Sequence, residues 1–228
     1  MYRSEFLGGL GGATTVAQFG LPQITPSISI ALCAPMSGSA KPIGTRLQVG
    51  ANAAIQYSNE LAGSLQRTFA LRVYDDQNDA AIARTAASFA TGDSSVIATI
   101  GHVSSDATLQ GINTNYGPQG MPLIVPLSTD DRLTATQYHT IFRLPTKDSF
   151  EGQIFARTVL TQYKPKVPYV FVQDADYGAD VANGWIAMME SNHVKSLYDQ
   201  FSYNHADFGA VVDKAMVAQM DYAFLAGV

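Results

Sequence analysis

The feature that most constrains this chain is a regular alternation of short apolar runs with longer stretches of helical period, from residue 27 onward. "SISIALCAP" (27–35) reads as a strand, and Ile43, Leu47, Ala51, Ala54, Ile55 and Leu61 then recur at helical spacing. "FALRVYDD" (69–76) is a second strand, followed by an Ala-rich helix through Phe89. "SVIATIGH" and a helix near 105–115 come next, then "MPLIVPLS" (121–128) and "HTIFRLP" (139–145). Residues 147–163 have helical character, "VPYVFVQD" (167–174) is a strand, and 178–191 is helical. "VKSLYDQFSY" (194–203), a helix from Asp207 to Gln219 and a final strand, "YAFLAGV", complete the pattern. Strands alternating with helices of about 10–20 residues imply βαβ units and parallel sheets, hence an α/β fold.

Open parallel sheets bind ligands just beyond the carboxyl ends of their strands. The polar residues found there are therefore the candidate functional groups: Pro35 to Gly38, Asp75-Asp76, His102 to Asp106, Ser128 to Asp131, and Asp174 to Gly178. In "ATIGHVSSDAT" (98–108) an apolar strand ends abruptly in hydroxyls and a carboxylate. Ser104, Ser105 or Asp106 can each cap the following helix by accepting a free N–H. A helix start with spare N–H groups and hydroxyls also suits an anion such as a carboxylate, and the two roles are compatible. Asp75-Asp76 reads either as a turn cap or cleft lining, or as a carboxylate pair for acid–base work.

Composition excludes several classes. With 46% hydrophobic and 14% charged residues, the chain has enough apolar content for a core. Its formal net charge of −5 and lack of any basic run argue against nucleic-acid partners. The single cysteine, Cys33, precludes an internal disulfide and a cysteine-based zinc site, and its apolar strand context marks it as a core thiol. The four histidines, at 102, 139, 193 and 205, lack metal-ligand spacing, so no metal and no cofactor are expected. His102, after a buried strand, reads as a hydrogen-bonded structural residue. No G-x-S-x-G elbow, phosphate-binding loop or H-E-x-x-H occurs, and "GGLGG" precedes any strand, so it is not a dinucleotide loop. A hydrolase using Ser105 would need a nearby base; His102 is the one candidate, and a three-residue offset across a strand-to-helix turn disfavours that geometry. No catalytic residue is assigned.

The first 22 residues differ from the rest. One Arg, a Gly-, Ala- and Leu-rich middle and small residues near Ala17 suggest an export signal, and no run reaches the ~20 apolar residues needed to span a bilayer. "RSEFLGG" is close to the twin-arginine pattern R-R-x-F-L, with Ser4 in place of the second Arg, so both the Sec and Tat routes stay open. A disordered leader is the alternative. Either way, no stable membrane insertion is expected.

At the strand ends the sequence resembles a known family, the type I periplasmic solute-binding proteins, specifically the branched-chain amino acid (Leu/Ile/Val) receptors of ABC transporters. The resemblance lies in "IALCAPMSGSAKPIGTRLQVGANAAI", "LRVYDDQND", "IGHVSSDAT", "PLIVPLSTDDRLT", "VFVQDADYGADVANGW" and "DFGAVVDKAM", which run in order across residues 27–228. It implies two Rossmann-like lobes, parallel sheets flanked by helices, divided as 23–145 and 146–228 after the leader at 1–22. It also implies a periplasmic receptor that captures a branched-chain or related amino acid between its lobes and delivers it to an ABC transporter permease. A sensory domain for amides or similar small molecules is the alternative.

The resemblance further implies site roles. Ser105 matches the serine that binds the ligand α-carboxylate. Ser128 and Thr129 match a stretch that offers a backbone carbonyl to the ammonium and a hydroxyl or amide to the carboxylate. Tyr177 matches the tyrosine that closes over the ligand from the second lobe. Relatives often carry two cysteines where Asn78 and Ser104 stand here, so both are lost together. Asp130-Asp131 is more acidic than the usual continuation. The family's lobes have ~150 residues each, so the second lobe is expected to be incomplete, with no counterpart to the acidic residue that usually holds the ammonium. On that reading the final strand, apolar enough to be central in its sheet, would need covering by further chain or by association, and ligand affinity would be weak.

Overall fold

The computed structural model describes residues 28–62, 68–135, 137–202 and 208–227, and arranges them around two parallel sheets that follow one another along the chain. The expected leader at 1–22, His205 and the start of the helix at Asp207 lie outside the described residues.

The first sheet contains β1 (Ile28–Ala34), β2 (Phe69–Asp75), β3 (Val96–Gly101), β4 (Leu123–Val125) and β5 (Ile141–Arg143), in the order β2-β1-β3-β4-β5. β1 lies inside this sheet, paired with β2 on one side and β3 on the other, and Ala31 to Ala34 are fully buried. That burial explains its near-continuous apolar run, as both faces of a parallel sheet are covered by helices. α2 (Ala80–Gly92) turns Ala83, Ala86, Ala87 and Ala90 inward, at the three- and four-residue steps of one helix face. Asp79 caps it, accepting from the N–H groups of Ala81 and Ile82. α1 (Lys41–Leu61) covers the other face through Gly44, Leu47, Ala51 and Ile55; Ile43, Ala54 and Leu61, at the same helical spacing, stay exposed. α3 (Ser105–Gly111) continues through a π-helical turn, Ile112–Tyr116, into α4 (Gly117–Gln119).

The second sheet contains β6 (Pro168–Gln173), β7 (Leu197–Phe201) and β8 (Tyr222–Ala226), in the order β7-β6-β8. α5 (Asp148–Gln162) and α6 (Asp176–Ser191) pack together closely because glycines lie at their crossing. A Cβ on Gly152 would stand 2.0 Å from the Val181 carbonyl oxygen, and one on Gly184 1.8 Å from that of Ser149. Trp185 on α6 is fully buried, stacks on Phe224 at 4.1 Å between centroids, and donates its indole N–H to the Ser196 hydroxyl. α7 (Gly209–Val217) precedes β8. The expectation that the final strand is central is not met among the described residues. β8 pairs with β6 alone and forms an edge, with Leu225 62% exposed.

In both sheets the strand order reverses beside a central strand, between β1 and β3 and between β6 and β8. Loops at such a switch point diverge and leave a crevice beyond the carboxyl ends of the strands. That geometry positions the site.

Candidate functional site

The loop after β3 is anchored from beneath. Gly101 has φ +149° and lies against β1, where a Cβ would meet the Cys33 carbonyl oxygen at 2.2 Å, so this turn needs glycine. His102 and Asp76 are both fully buried. His102 Nδ1 lies 2.6 Å from Asp76 Oδ2, and its Nε2 lies 3.1 Å from the Tyr116 hydroxyl. With both ring nitrogens engaged, His102 is the hydrogen-bonded structural residue its context suggests, and a Ser105 hydrolase loses its one candidate base. The acid–base reading of Asp75-Asp76 also fails. Asp75 accepts hydrogen bonds from the Met36 N–H, the Ser37 hydroxyl and the Gln77 N–H, which tie the β1–α1 loop to the end of β2; although burial opposes its charge, these bonds hold the carboxyl below its usual range. Burial pushes the Cys33 thiol up to about 12, as befits a core thiol.

Among the three residues that could cap α3, Ser104 takes the role, accepting from the Ala107 N–H at 3.4 Å. Ser105, at the first helical position, is thereby released from capping and lines a cavity of about 230 Å³. Ser128 turns the other way. It is 3% exposed, and its hydroxyl bonds Thr108 Oγ1 at 2.7 Å and donates to the Val103 carbonyl at 3.0 Å. Its side chain clamps the β3–α3 loop to the end of β4, which leaves only main-chain atoms for a ligand. Its neighbour Thr129 lines the cavity with Ser105, and Tyr177 faces them from α6. The structure thus brings Ser105, Thr129 and Tyr177 to one cavity and directs the Ser128 hydroxyl elsewhere.

The remaining walls are carboxylates: Asp106, Asp130, Asp148 and Asp176. Arg132 bridges two of them, pairing with Asp130 and donating to Asp176 Oδ2 at 2.6 Å, and so links the turn after β4 to the start of α6. Although burial opposes it, Arg132 holds the Asp130 carboxyl below its usual range. Arg143 donates to the carbonyls of Thr129 and Asp130, at 2.8 Å each, and to the Thr134 hydroxyl. Asp131 accepts from the N–H and hydroxyl of Ser149, which fastens the same turn to α5.

Asp148 was not singled out from the sequence. It opens α5, is 2% exposed, and its N–H donates to the Thr129 carbonyl at 3.2 Å. Burial, followed by the charges of Asp180, Asp131 and Asp130, raises its carboxyl to about 6 in spite of a hydrogen bond from Thr129. Its Oδ1 has no hydrogen-bond partner among the described residues. The available signal was an acid at the helix start that follows "LPTK", where charge alone is the ordinary explanation. Burial and Tyr177's approach to Glu151 and Asp148 push the Tyr177 phenol up as well. No group of three or more metal-ligating side chains occurs among the described residues, and no helix there is long and apolar enough to cross a membrane.

The arrangement offers hydroxyl and helix N-terminal donors at one end, buried acceptors at the other, and an aromatic ring as cover. Comparison with known proteins agrees with this geometry. A family profile described as "Periplasmic binding protein" matches residues 27–228. The Leucine-, isoleucine-, valine-, threonine-, and alanine-binding protein of Pseudomonas aeruginosa is 27% identical over 202 residues, 88% of this chain and 54% of the relative. The Leu/Ile/Val-binding protein of Escherichia coli is 26% identical over 219 residues, 96% of this chain and 59% of the relative. The chain spans about half the length of the curated relatives it matches. Among solved structures, an ABC transporter substrate-binding protein from Desulfitobacterium hafniense in complex with Leu has the same fold, with a TM-score of 0.74 at 22% identity over 89% of this chain and 59% of that one.

Proposed function

We propose that this chain, which belongs to the periplasmic binding protein family, acts as an extracytoplasmic receptor that captures a branched-chain or related amino acid and delivers it to an ABC transporter permease. One observation carries the reading: a cavity between two α/β units, where Ser105 and Thr129 of the first meet Tyr177 and Asp148 of the second. A zwitterion needs donors for its carboxylate and acceptors for its ammonium. Ser105, at the start of a helical run, and the Thr129 hydroxyl serve the carboxylate; the Ser128 main chain and the carboxylate walls serve the ammonium. Tyr177 covers the ligand as the units, 23–145 and 146–228, close around it. Binding energy then drives closure, and no bond is made or broken. The first 22 residues act in this reading as an export signal to the periplasm.

A second reading, capture of small amides or similar molecules, is favoured by the walls themselves. They are rich in carboxylate acceptors, and Tyr177 supplies their one large apolar surface. Isothermal titration calorimetry of the full chain against the proteinogenic L-amino acids and a set of small amides separates the two. Saturable binding of an amino acid, abolished by combined Ser105→Ala and Thr129→Ala substitution with only ~1–2 kcal/mol lost in stability, is the expected result. Binding of amides alone selects the second reading, and no binding from either set refutes both.

A further inference from the structure

Asp148 is the one buried ionisable group at the cavity whose hydrogen bonding the protein leaves incomplete. Its carboxyl is 2% exposed, one oxygen is engaged by Thr129, and Oδ1 has no partner among the described residues although the residue lines the cavity. Buried polar atoms are almost always paired, so an orphan at a cavity wall marks where a missing donor belongs. The neighbouring cations are already committed: Arg132 to Asp130 and Asp176, and Arg143 to the Thr129 and Asp130 carbonyls and the Thr134 hydroxyl.

Resting on the receptor reading, we infer that Asp148 is the ligand's cation anchor, accepting an N–H from an ammonium or protonated amine held in this cavity. Charge and geometry agree on the class of donor. Asp130 and Asp131 face Asp148 from the turn after β4, with Arg143 on β5, and Asp180 faces it from α6 beside Tyr177; Glu151 lies one turn along α5. Carboxylates outnumber the arginines, so a neutral donor would leave the repulsion among them in place, whereas a cation relieves it. A purely structural role, an acid placed to favour the α5 N-terminus, predicts a stabilised charge. The carboxyl is instead raised to about 6, and Asp180 is also held above its usual range, by burial and by Asp131 and Asp130. The anchor lies at the start of the second unit, so it is independent of the acidic residue farther along that the family resemblance would have supplied.

Two measurements on the full chain test the inference. In the first, the carbon-13 carboxyl resonance of Asp148 is followed during titration with methylammonium chloride, with tetramethylammonium, which has no N–H, as control. A saturable shift and a fall in the apparent pKa with methylammonium alone are expected; an unmoved resonance, or an equal response to both ions, overturns the inference. In the second, calorimetry compares wild type with Asp148→Asn, using L-leucine, L-alanine and their des-amino counterparts 4-methylpentanoate and propanoate. The substitution is expected to weaken amino-acid binding by roughly 10- to 100-fold, the scale of one charge-assisted hydrogen bond, and to leave the des-amino acids unchanged. Equal amino-acid binding by both proteins overturns the anchor and leaves the receptor reading standing. A methylammonium response without binding of any amino acid sustains the anchor and removes the amino-acid reading.

Discussion

Replacing Asp148 with Asn in the ligand-free protein should change how stability depends on pH, and the direction follows from the folded carboxyl lying above its unfolded value of 3.8, at about 6. Below 3.8 the group is protonated in both folded and unfolded chains, and it contributes no difference. Between 3.8 and about 6 the unfolded chain releases its proton while the folded chain retains it, so folded stability falls as pH rises. Above about 6 that loss is complete. At ~1.4 kcal/mol per pKa unit, a shift of about two units corresponds to an upper value of ~3 kcal/mol. The cavity beside the carboxyl admits water, so ~1–2 kcal/mol is the working figure. Asn keeps the size and removes the charge, at the cost of an amide whose N–H₂ must find acceptors among the carboxylates around it. The informative quantity is therefore the difference between variant and wild type, measured at a series of pH values. It should move in the variant's favour by ~1–2 kcal/mol between about pH 4 and about pH 7. Urea unfolding followed by the fluorescence of Trp185, the chain's sole tryptophan, reads this directly in the unit that carries Asp148. A difference that is flat across this range, or that moves against the variant, would show that the carboxylate is already compensated in the folded state and would remove the physical basis for its role as an anchor.

Asp76→Ala strips the partner from His102 Nδ1 and from the Asn78 N–H, both bonded to its carboxylate; a loss of ~3–5 kcal/mol is expected in urea unfolding, and a loss under 1 kcal/mol would mean that the pair is dispensable. Gly184→Ala places a methyl group 1.8 Å from the Ser149 carbonyl oxygen, so α5 and α6 must separate; a cost of at least ~1–3 kcal/mol and an altered Trp185 emission are expected, and a variant as stable as wild type would contradict the close helix crossing.

The fold class was legible because its signals are local. The apolar run of 27–35 and the helical recurrences on either side report burial and period within a few residues, and strands alternating with helices admit few arrangements besides parallel sheets. The location of the site followed as well, because ligands in such sheets gather at the strand ends, and Ser105, Thr129 and Tyr177 do meet there. Element boundaries were less well defined. α6 begins at Asp176 rather than 178, which places Tyr177 in the first helical turn instead of the loop.

What the sequence by itself determined, then, is which elements form and which end of each sheet carries polar groups, since both depend on side-chain chemistry read along the chain. Three matters were decided only by tertiary structure. Ser104 rather than Ser105 caps α3, because one residue's step around the helix start decides which hydroxyl meets a free N–H. Ser128 points inward to Thr108 and Val103 while Thr129 points into the cavity, because adjacent residues leaving a strand face opposite ways and the packing of the β3–α3 loop selects between them. Asp148 becomes a strained, half-satisfied carboxylate only when the turn after β4 and α6 bring Asp130, Asp131 and Asp180 toward it from 18 residues before and 32 residues after. Electrostatic fields and desolvation depend on distance through space, and no spacing along the chain encodes which charges will converge.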